Sequence, residues 1–367
     1  MKHRVFVTDA SYPNALAAVR SLGEAGFEVT AADKRSVGLA ARLAFWSRYC
    51  RHRFTYPDPR QNPEGAADAI SRYVRDNECA AAIPVGLDMT ELFVLQRARI
   101  GVPAMLPSRE SFAIASDKRL TFRHARDAGI PVPRTASVDE WSEFQPPFVL
   151  KHVRAGANIL ATPAEAVSRI RALNGCSDDH LIQEYVPGRN GYGYFGFFWQ
   201  GKEVAYFMHE RLVQFPKDGG PSVVARSIRE ERLRELGKRL LESLDWHGVA
   251  MVEFKRSVRD GEFYLIEINP KLWGSLDLAI AAGADFPAWI ARAAIDGTLP
   301  ESGGNYDVGV TYQWLIPHGV KSFVRYPEFR GAFLRNLASF GIRKDVRLTD
   351  PLPTAAGLFA MGMNAIR

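Results

Sequence analysis

The sequence predicts a mixed α/β chain: a parallel-sheet α/β unit at the N-terminus, then α+β units. Three observations carry this. Residues 3–8 form a β-branched run, followed by an Ala/Leu-periodic helix from Asn14 to Ala25 and a second strand from Glu28 to Asp33. That βαβ opening favours a parallel sheet covered by helices. Beyond residue 190, apolar strands joined by Gly- and Pro-containing turns dominate instead. The composition, 47% hydrophobic and 24% charged over 367 residues, is that of a folded chain with room for two or three domains.

In chain order, the first unit continues with a helix over 63–76, a short buried strand over 80–84 and a helix over 87–99, and Gly101-Val102-Pro103 ends it. A second unit opens with helices over 108–116 and 117–128, stopped by Gly129-Ile130-Pro131. A strand over 146–153, a helix over 162–173 and a strand over 180–188 complete it. The third unit has strands over 194–199 and 203–209 and a Gly/Pro loop at 215–222. A helix over 229–244 follows, with Leu233, Leu236, Leu240 and Leu244 on one face. Strands over 248–255 and 262–269 form an antiparallel pair around Asp260-Gly261. The tail places Phe329, Phe333, Leu337 and Phe340 on one face of a helix within 326–344. The expected boundaries are 1–107, 108–190, 191–300 and 301–367.

Several classes of function are disfavoured. Net charge is +6 without a run of five basic residues, so a solvated surface is expected rather than a nucleic-acid groove. Cys50, Cys79 and Cys176 are isolated, against a zinc site or disulfide framework. Neither a signal-peptide region nor a membrane-span-length apolar window is found, so a cytoplasmic protein without integral membrane association is expected. The turn after the first strand, DASYPN, holds no glycine and Asp33 alone is a weak sign, which argues against nicotinamide binding.

The chemistry concentrates in FYLIEINPK (263–271). Side chains alternate faces along a strand, so Glu267 and Asn269 share one face of an apolar strand. A buried carboxylate requires a cation. Residues opposed across an antiparallel pair share a face, so the connection decides what Glu253 meets. A two-residue turn puts it opposite Ile268, on the wrong face; three residues put it opposite Asn269, and five opposite Glu267. In the longer cases Glu253, Glu267 and Asn269 converge as three oxygen ligands suited to Mg²⁺. Lys118, at a helix start, and Lys151, near the end of PFVL, are candidate phosphate partners. The loop at Asp218-Gly219-Gly220 is a weaker one.

Five segments in order, SDKRLTFRHARDAGIPVPRT, PFVLK, LIQEYVPG, VAMVEFK and LIEINPKLWGS, closely resemble the ATP-grasp superfamily, over about 108–300. Its predicted carboxylate–amine ligases (carboligases) are the nearest likeness, with a similar tail ending in Asp350-Pro351-Leu352-Pro353. The resemblance implies an ATP-grasp fold: a Rossmann-like pre-ATP-grasp domain over 1–107 and two α+β lobes clasping ATP, with residues 301–367 as an extension. It implies that Lys118 and Lys151 contact phosphates, and that Gln183, Glu184, Tyr185 and Val186 hold adenine. Glu253, Glu267 and Asn269 would bind two Mg²⁺ ions, with Mn²⁺ as a substitute. Loop 211–222 would cover the site, with Arg211 near the phosphates.

Two positions depart from the family. An acid that often binds ribose after the hinge glycine is replaced by Arg189-Asn190, leaving Asn190 or Glu184 for that role. Lys271 stands where an arginine is frequent and keeps the charge without the bidentate grip. The implied activity joins small-molecule carboxylate and amine substrates through an acyl phosphate, releasing ADP and phosphate. Bicarbonate activation and a non-catalytic nucleotide-binding protein are the alternatives. His209 and His247 are expected to be structural, Arg154, Asn158, Arg211 and Trp273 to line the substrate pocket, and a homodimer is possible.

Overall fold

The computed structural model describes residues 2–365 except 155, 174–176, 189, 190, 217–219, 302 and 304. The sequence readings on Cys176, Arg189, Asn190, Asp218 and Gly219 lie outside the described residues.

The N-terminal part contains β1 (Arg4–Val7), α1 (Pro13–Glu24), β2 (Glu28–Lys34), β3 (Cys50–Tyr56), α2 (Pro63–Asp76), β4 (Cys79–Ile83), α3 (Leu87–Leu95) and α4 (Arg97–Ile100). The strands form a parallel sheet in the order β3-β2-β1-β4. Val5, Phe6 and Val7 are fully buried, as a parallel strand covered on both faces requires. Strand β3 escaped the sequence reading because CRHRFTY is an edge strand whose arginines face solvent. The helix expected over 87–99 is two helices, broken at Gln96.

Helices α5 (Arg109–Ser116) and α6 (Lys118–Asp127) come next. Ser108 caps the first by accepting from the Ser111 N–H at 3.0 Å. Asp117 caps the second by accepting from the Arg119 N–H at 2.8 Å. A small lobe holds β5 (Thr135–Ser137), β6 (Phe148–His152), β7 (Ala157–Leu160), α7 (Pro163–Arg171) and β8 (His180–Glu184). Its antiparallel sheet runs β5-β8-β6-β7 over a core that includes Phe144, Phe148 and Ile182.

The largest sheet is built by β9 (Gly191–Trp199), β10 (Lys202–Gln214), β11 (Ser222–Ser227), β12 (Gly248–Arg256), β13 (Phe263–Asn269), β14 (Thr311–Gln313) and β15 (Ile342–Lys344). Its order is β13-β12-β9-β10-β11-β14-β15. Helix α8 (Glu231–Ser243) covers it with Leu233, Leu236 and Leu240 buried, as its periodicity predicts. Gly237 lets α8 approach, since a Cβ there would lie 2.4 Å from the Tyr194 ring. Helices α9 (Leu276–Ala281) and α10 (Phe286–Asp296) follow β13.

The tail differs from the sequence reading. Strands β14 and β15 extend the large sheet, and helices α11 (His318–Arg325) and α12 (Arg330–Ala338) lie between them. The single helix expected over 326–344 stops at Ala338 and gives way to β15. Phe329 and Phe333 are buried, whereas Leu337 is 45% exposed and Phe340 fully so. Helix α13 (Leu352–Ala365) then packs back on the N-terminal turns at 39–46.

Candidate active site

A cleft of about 750 Å³ opens between the small lobe and the large sheet, with Glu253, Glu267 and Asn269 in its wall. The register brings them together by a route none of the simple turns supplied. Pairing starts at Arg256–Phe263, which leaves a six-residue connection and on its own would set Glu253 opposite Ile266. A bulge absorbs Ile266, so Glu253 pairs with Glu267 and Met251 with Asn269. The bulged Ile266 carbonyl accepts a hydrogen bond from Lys151 Nζ at 3.2 Å.

Each acid has a defined partner. Arg211 donates in fork geometry to both Glu253 oxygens, at 2.8 and 2.7 Å. Lys118 Nζ lies 3.3 Å from Glu267 Oε2, and Asn269 Nδ2 donates to Glu267 Oε1 at 2.8 Å. That bond leaves the Asn269 amide oxygen as an acceptor. Burial pushes the Glu253 carboxyl up, opposed by Arg211 and reinforced by the charge of Glu267. Burial also acts on Glu267, but Lys118, Asn269 and Lys151 outweigh it and hold that carboxyl below its usual range.

A divalent cation fits this donor set, because it would relieve the repulsion between the two carboxylates. Among the described residues no three Asp, Glu, His or Cys side chains gather at a metal site. The protein would therefore supply two carboxylates and an amide, leaving positions for water and phosphate oxygens, which is how Mg²⁺ is commonly held.

Lys118, Lys151, Arg211, Lys255 and Lys271 line the cleft with Glu184, Glu253 and Glu267, five cations to three carboxylates, a balance that favours a polyanionic ligand. Lys151 is 3% exposed, with its Nζ 5.1 Å from the centre of the Phe122 ring. Burial pushes its pKa down to about 8, with Glu267 opposing. Burial lowers Lys271 likewise, against Glu267 and Asp9. A triphosphate stabilises the charged Lys151, so nucleotide binding takes up a proton near and above pH 8. Affinity should then fall by up to about tenfold per pH unit from pH 8 upward. Calorimetry in buffers of different ionisation enthalpy measures this, and Lys151→Met should remove the lysine's share.

Gln183, Glu184, Tyr185 and Val186 lie along the same cleft at the end of β8. Gln183 is buried and donates to Thr135 Oγ1 at 2.9 Å, so its side chain fixes the strand and leaves main chain for a ligand. Glu184 pairs with Arg259 at 2.7 Å. Gly188 allows close approach to β12, since a Cβ would sit 2.2 Å from the Arg256 carbonyl oxygen.

The expected cover is shorter than 211–222. Arg211 to Gln214 continue β10, and Ser222 begins β11. Trp273 lines the cleft as expected, but Arg154 sits outside its wall and pairs with Glu91 at 3.4 Å. His209 is fully buried and held neutral, its pKa driven far down by burial and then by Arg211. His247 accepts from the Gln200 N–H at 3.1 Å. Neither histidine lines the cleft. Lys255 was overlooked: it lies in the cleft wall, its Nζ 4.4 Å from the centre of the Tyr185 ring. The signal was available, since Met251, Glu253 and Lys255 share one face of β12 by alternation.

Residues 115–275 match the family model of the ATP-grasp domain. Two acetyl-CoA carboxylases of Arabidopsis thaliana are 29% identical over 111 residues, 27% of this chain. The chain spans only 5% and 4% of their lengths. Among solved structures, an L-amino acid ligase from Bacillus licheniformis superposes with TM-score 0.64 at 13% identity, covering 80% of this chain and 74% of that one. An ADP complex of N5-carboxyaminoimidazole ribonucleotide synthetase gives 0.68 at 15%, covering 89% and 85%. The biotin carboxylase domain of Hydrogenobacter thermophilus 2-oxoglutarate carboxylase, in complex with MgADP, ADP and bicarbonate, gives 0.66 at 15%, covering 85% and 73%.

Proposed function

Since residues 115–275 match the family model of the ATP-grasp domain, we propose that this chain is an ATP-dependent ligase joining a carboxylate to an amine through an acyl phosphate. The observation that carries the reading is the acid–amide face of β12 and β13, set among five cations in one cleft. Lys118 and Lys151 bind and orient the phosphates, and main chain at 183–186 receives the adenine. Glu253, Glu267 and Asn269 would hold Mg²⁺, which when bound offsets phosphate charge.

The substrate carboxylate oxygen attacks the γ-phosphorus, the bond to the β–γ bridging oxygen breaks, and ADP leaves. The amine then attacks the acyl carbon, the carbon–oxygen bond to phosphate breaks, phosphate leaves, and the amine releases its proton to solvent. Phosphoryl transfer of this kind depends on positioning and electrostatics rather than on a protein nucleophile. Lys118, Lys151 and Lys271 supply that field, and Arg211, freed from Glu253, would stabilise the acyl phosphate. Trp273 and the segment between β10 and β11 would limit access of water to it.

A coupled assay of ADP release across small carboxylic acids and amines tests this. Turnover that needs one acid and one amine together supports the reading. ATP consumption that needs bicarbonate alone favours carboxyphosphate formation, to which the carboxylase relatives point. Tight nucleotide binding without ADP release under any pair would overturn the ligase assignment.

A further inference from the structure

Helices α11 and α12 and the turn before β15 carry an exposed surface that the cleft chemistry does not use. The two helices pack on each other through Phe323 and Phe333, whose ring centres are 5.1 Å apart. Arg330 bridges them, donating from Nε to the Phe323 carbonyl at 3.0 Å and from Nη2 to the Val324 carbonyl at 3.2 Å. With those phenylalanines turned inward, other apolar side chains are left outside. Val320 and Val324, one turn apart on α11, are exposed, as are Leu334 and Leu337 on α12. Phe340 projects completely into solvent.

The charge around this face is concentrated. Residues 318–347 hold seven Lys or Arg against two Asp or Glu, a net +5 within a chain whose total is +6. One of the two acids, Asp345, faces inward and accepts from the Leu315 and Ile316 N–H groups at 2.9 and 3.2 Å. Among the described residues, Lys321, Arg325, Arg335 and Arg343 form no ion pair with an acid.

We propose that this face binds an anionic lipid surface peripherally, with Phe340, Leu337, Leu334 and Val324 entering the headgroup boundary and the surrounding lysines and arginines meeting lipid phosphates and carboxylates. Apolar side chains ringed by basic ones are the pattern of an interfacial helix. Each basic residue near such a surface strengthens binding about fivefold. A nucleic acid would use the same charge but leave the exposed valines and leucines without a role. A second copy of this chain, meeting the same face about a two-fold axis, would bring two +5 patches together.

Co-sedimentation of the full chain with phosphatidylcholine vesicles, with and without about 30% phosphatidylserine, tests this and is independent of the ligase reading. Sedimentation is expected only with the anionic vesicles and should vanish in high salt. Phe340→Asp should lower partitioning more than tenfold, and Arg335→Glu with Arg343→Glu should do the same. Because these positions are exposed, thermal stability and MgATP binding should not change. Equal sedimentation with neutral vesicles, or partitioning unaltered by Phe340→Asp, would overturn the proposal. So would binding to single-stranded nucleic acid without vesicle binding, or a Phe340-dependent dimer that ignores vesicles.

Discussion

Glu267→Gln should cut ATP turnover by about a thousandfold while leaving the protein folded. The change is isosteric and keeps the amide hydrogen bond within reach of Asn269, but it removes the charge that Lys118 meets at 3.3 Å. Lys118, Asn269 and Lys151 hold the Glu267 carboxyl below its usual range, so its charge contributes to stability at neutral pH and the melting temperature should fall modestly. Loss of turnover in a chain that stays folded at the assay temperature separates a role in chemistry from a role in folding. Nucleotide should still bind through Lys118, Lys151 and the 183–186 segment, with a raised Mg²⁺ requirement. Unchanged turnover in this variant would remove Glu267 from the metal end of the cleft.

Asp350→Ala should destabilise the chain by about 3–5 kcal/mol, the usual consequence of leaving a buried charge without its partner. Asp350 is 2% exposed and Arg20 1%, and Arg20 Nε donates to its Oδ2 at 2.8 Å. Ser47 Oγ and the Arg48 N–H add bonds at 2.8 Å each, and Arg20 Nη2 reaches the Asp350 carbonyl at 3.1 Å. The tail is thereby tied to α1 and to the turns before β3. Burial pushes the Asp350 carboxyl up, but Arg20, Arg48 and Ser47 outweigh it and hold it below the usual range. Its contribution is therefore present above the ordinary carboxylate pKa and lost as pH falls through the depressed folded value. Urea unfolding should show the loss at neutral pH, and Arg20→Ala with Asp350→Ala should cost less than the sum of the single changes.

Where local pattern decides structure, the sequence was enough. The βαβ opening, the two helices after residue 107 and the leucine face of α8 follow from periodicity and stop signals. The polar face of β13 was legible because Glu267 and Asn269 interrupt an apolar run at a spacing of two. The register was not, because no local signal marks the bulge at Ile266, whose carbonyl meets Lys151 from the small lobe. Strand β11, SVVARS, was hidden because its pairing with β14 spans a long separation that no local signal reports. The aromatic spacing in the tail suggested one continuous helical face, yet β15 takes its last residues into the large sheet. The partner of Glu253 was also beyond the sequence, since Arg211 reaches it across β9 from β10.

The central claim is that Glu253 and Glu267 hold a divalent cation beneath a nucleotide. Titrating Mn²⁺ into the protein with a non-hydrolysable ATP analogue, and following free Mn²⁺ by electron paramagnetic resonance, tests it most directly. Wild type should bind Mn²⁺ far more tightly with the analogue than without it, and Glu253→Gln and Glu267→Gln should each weaken that binding about tenfold or more. Identical titrations for wild type and both variants, or Mn²⁺ binding indifferent to the analogue, would contradict the account.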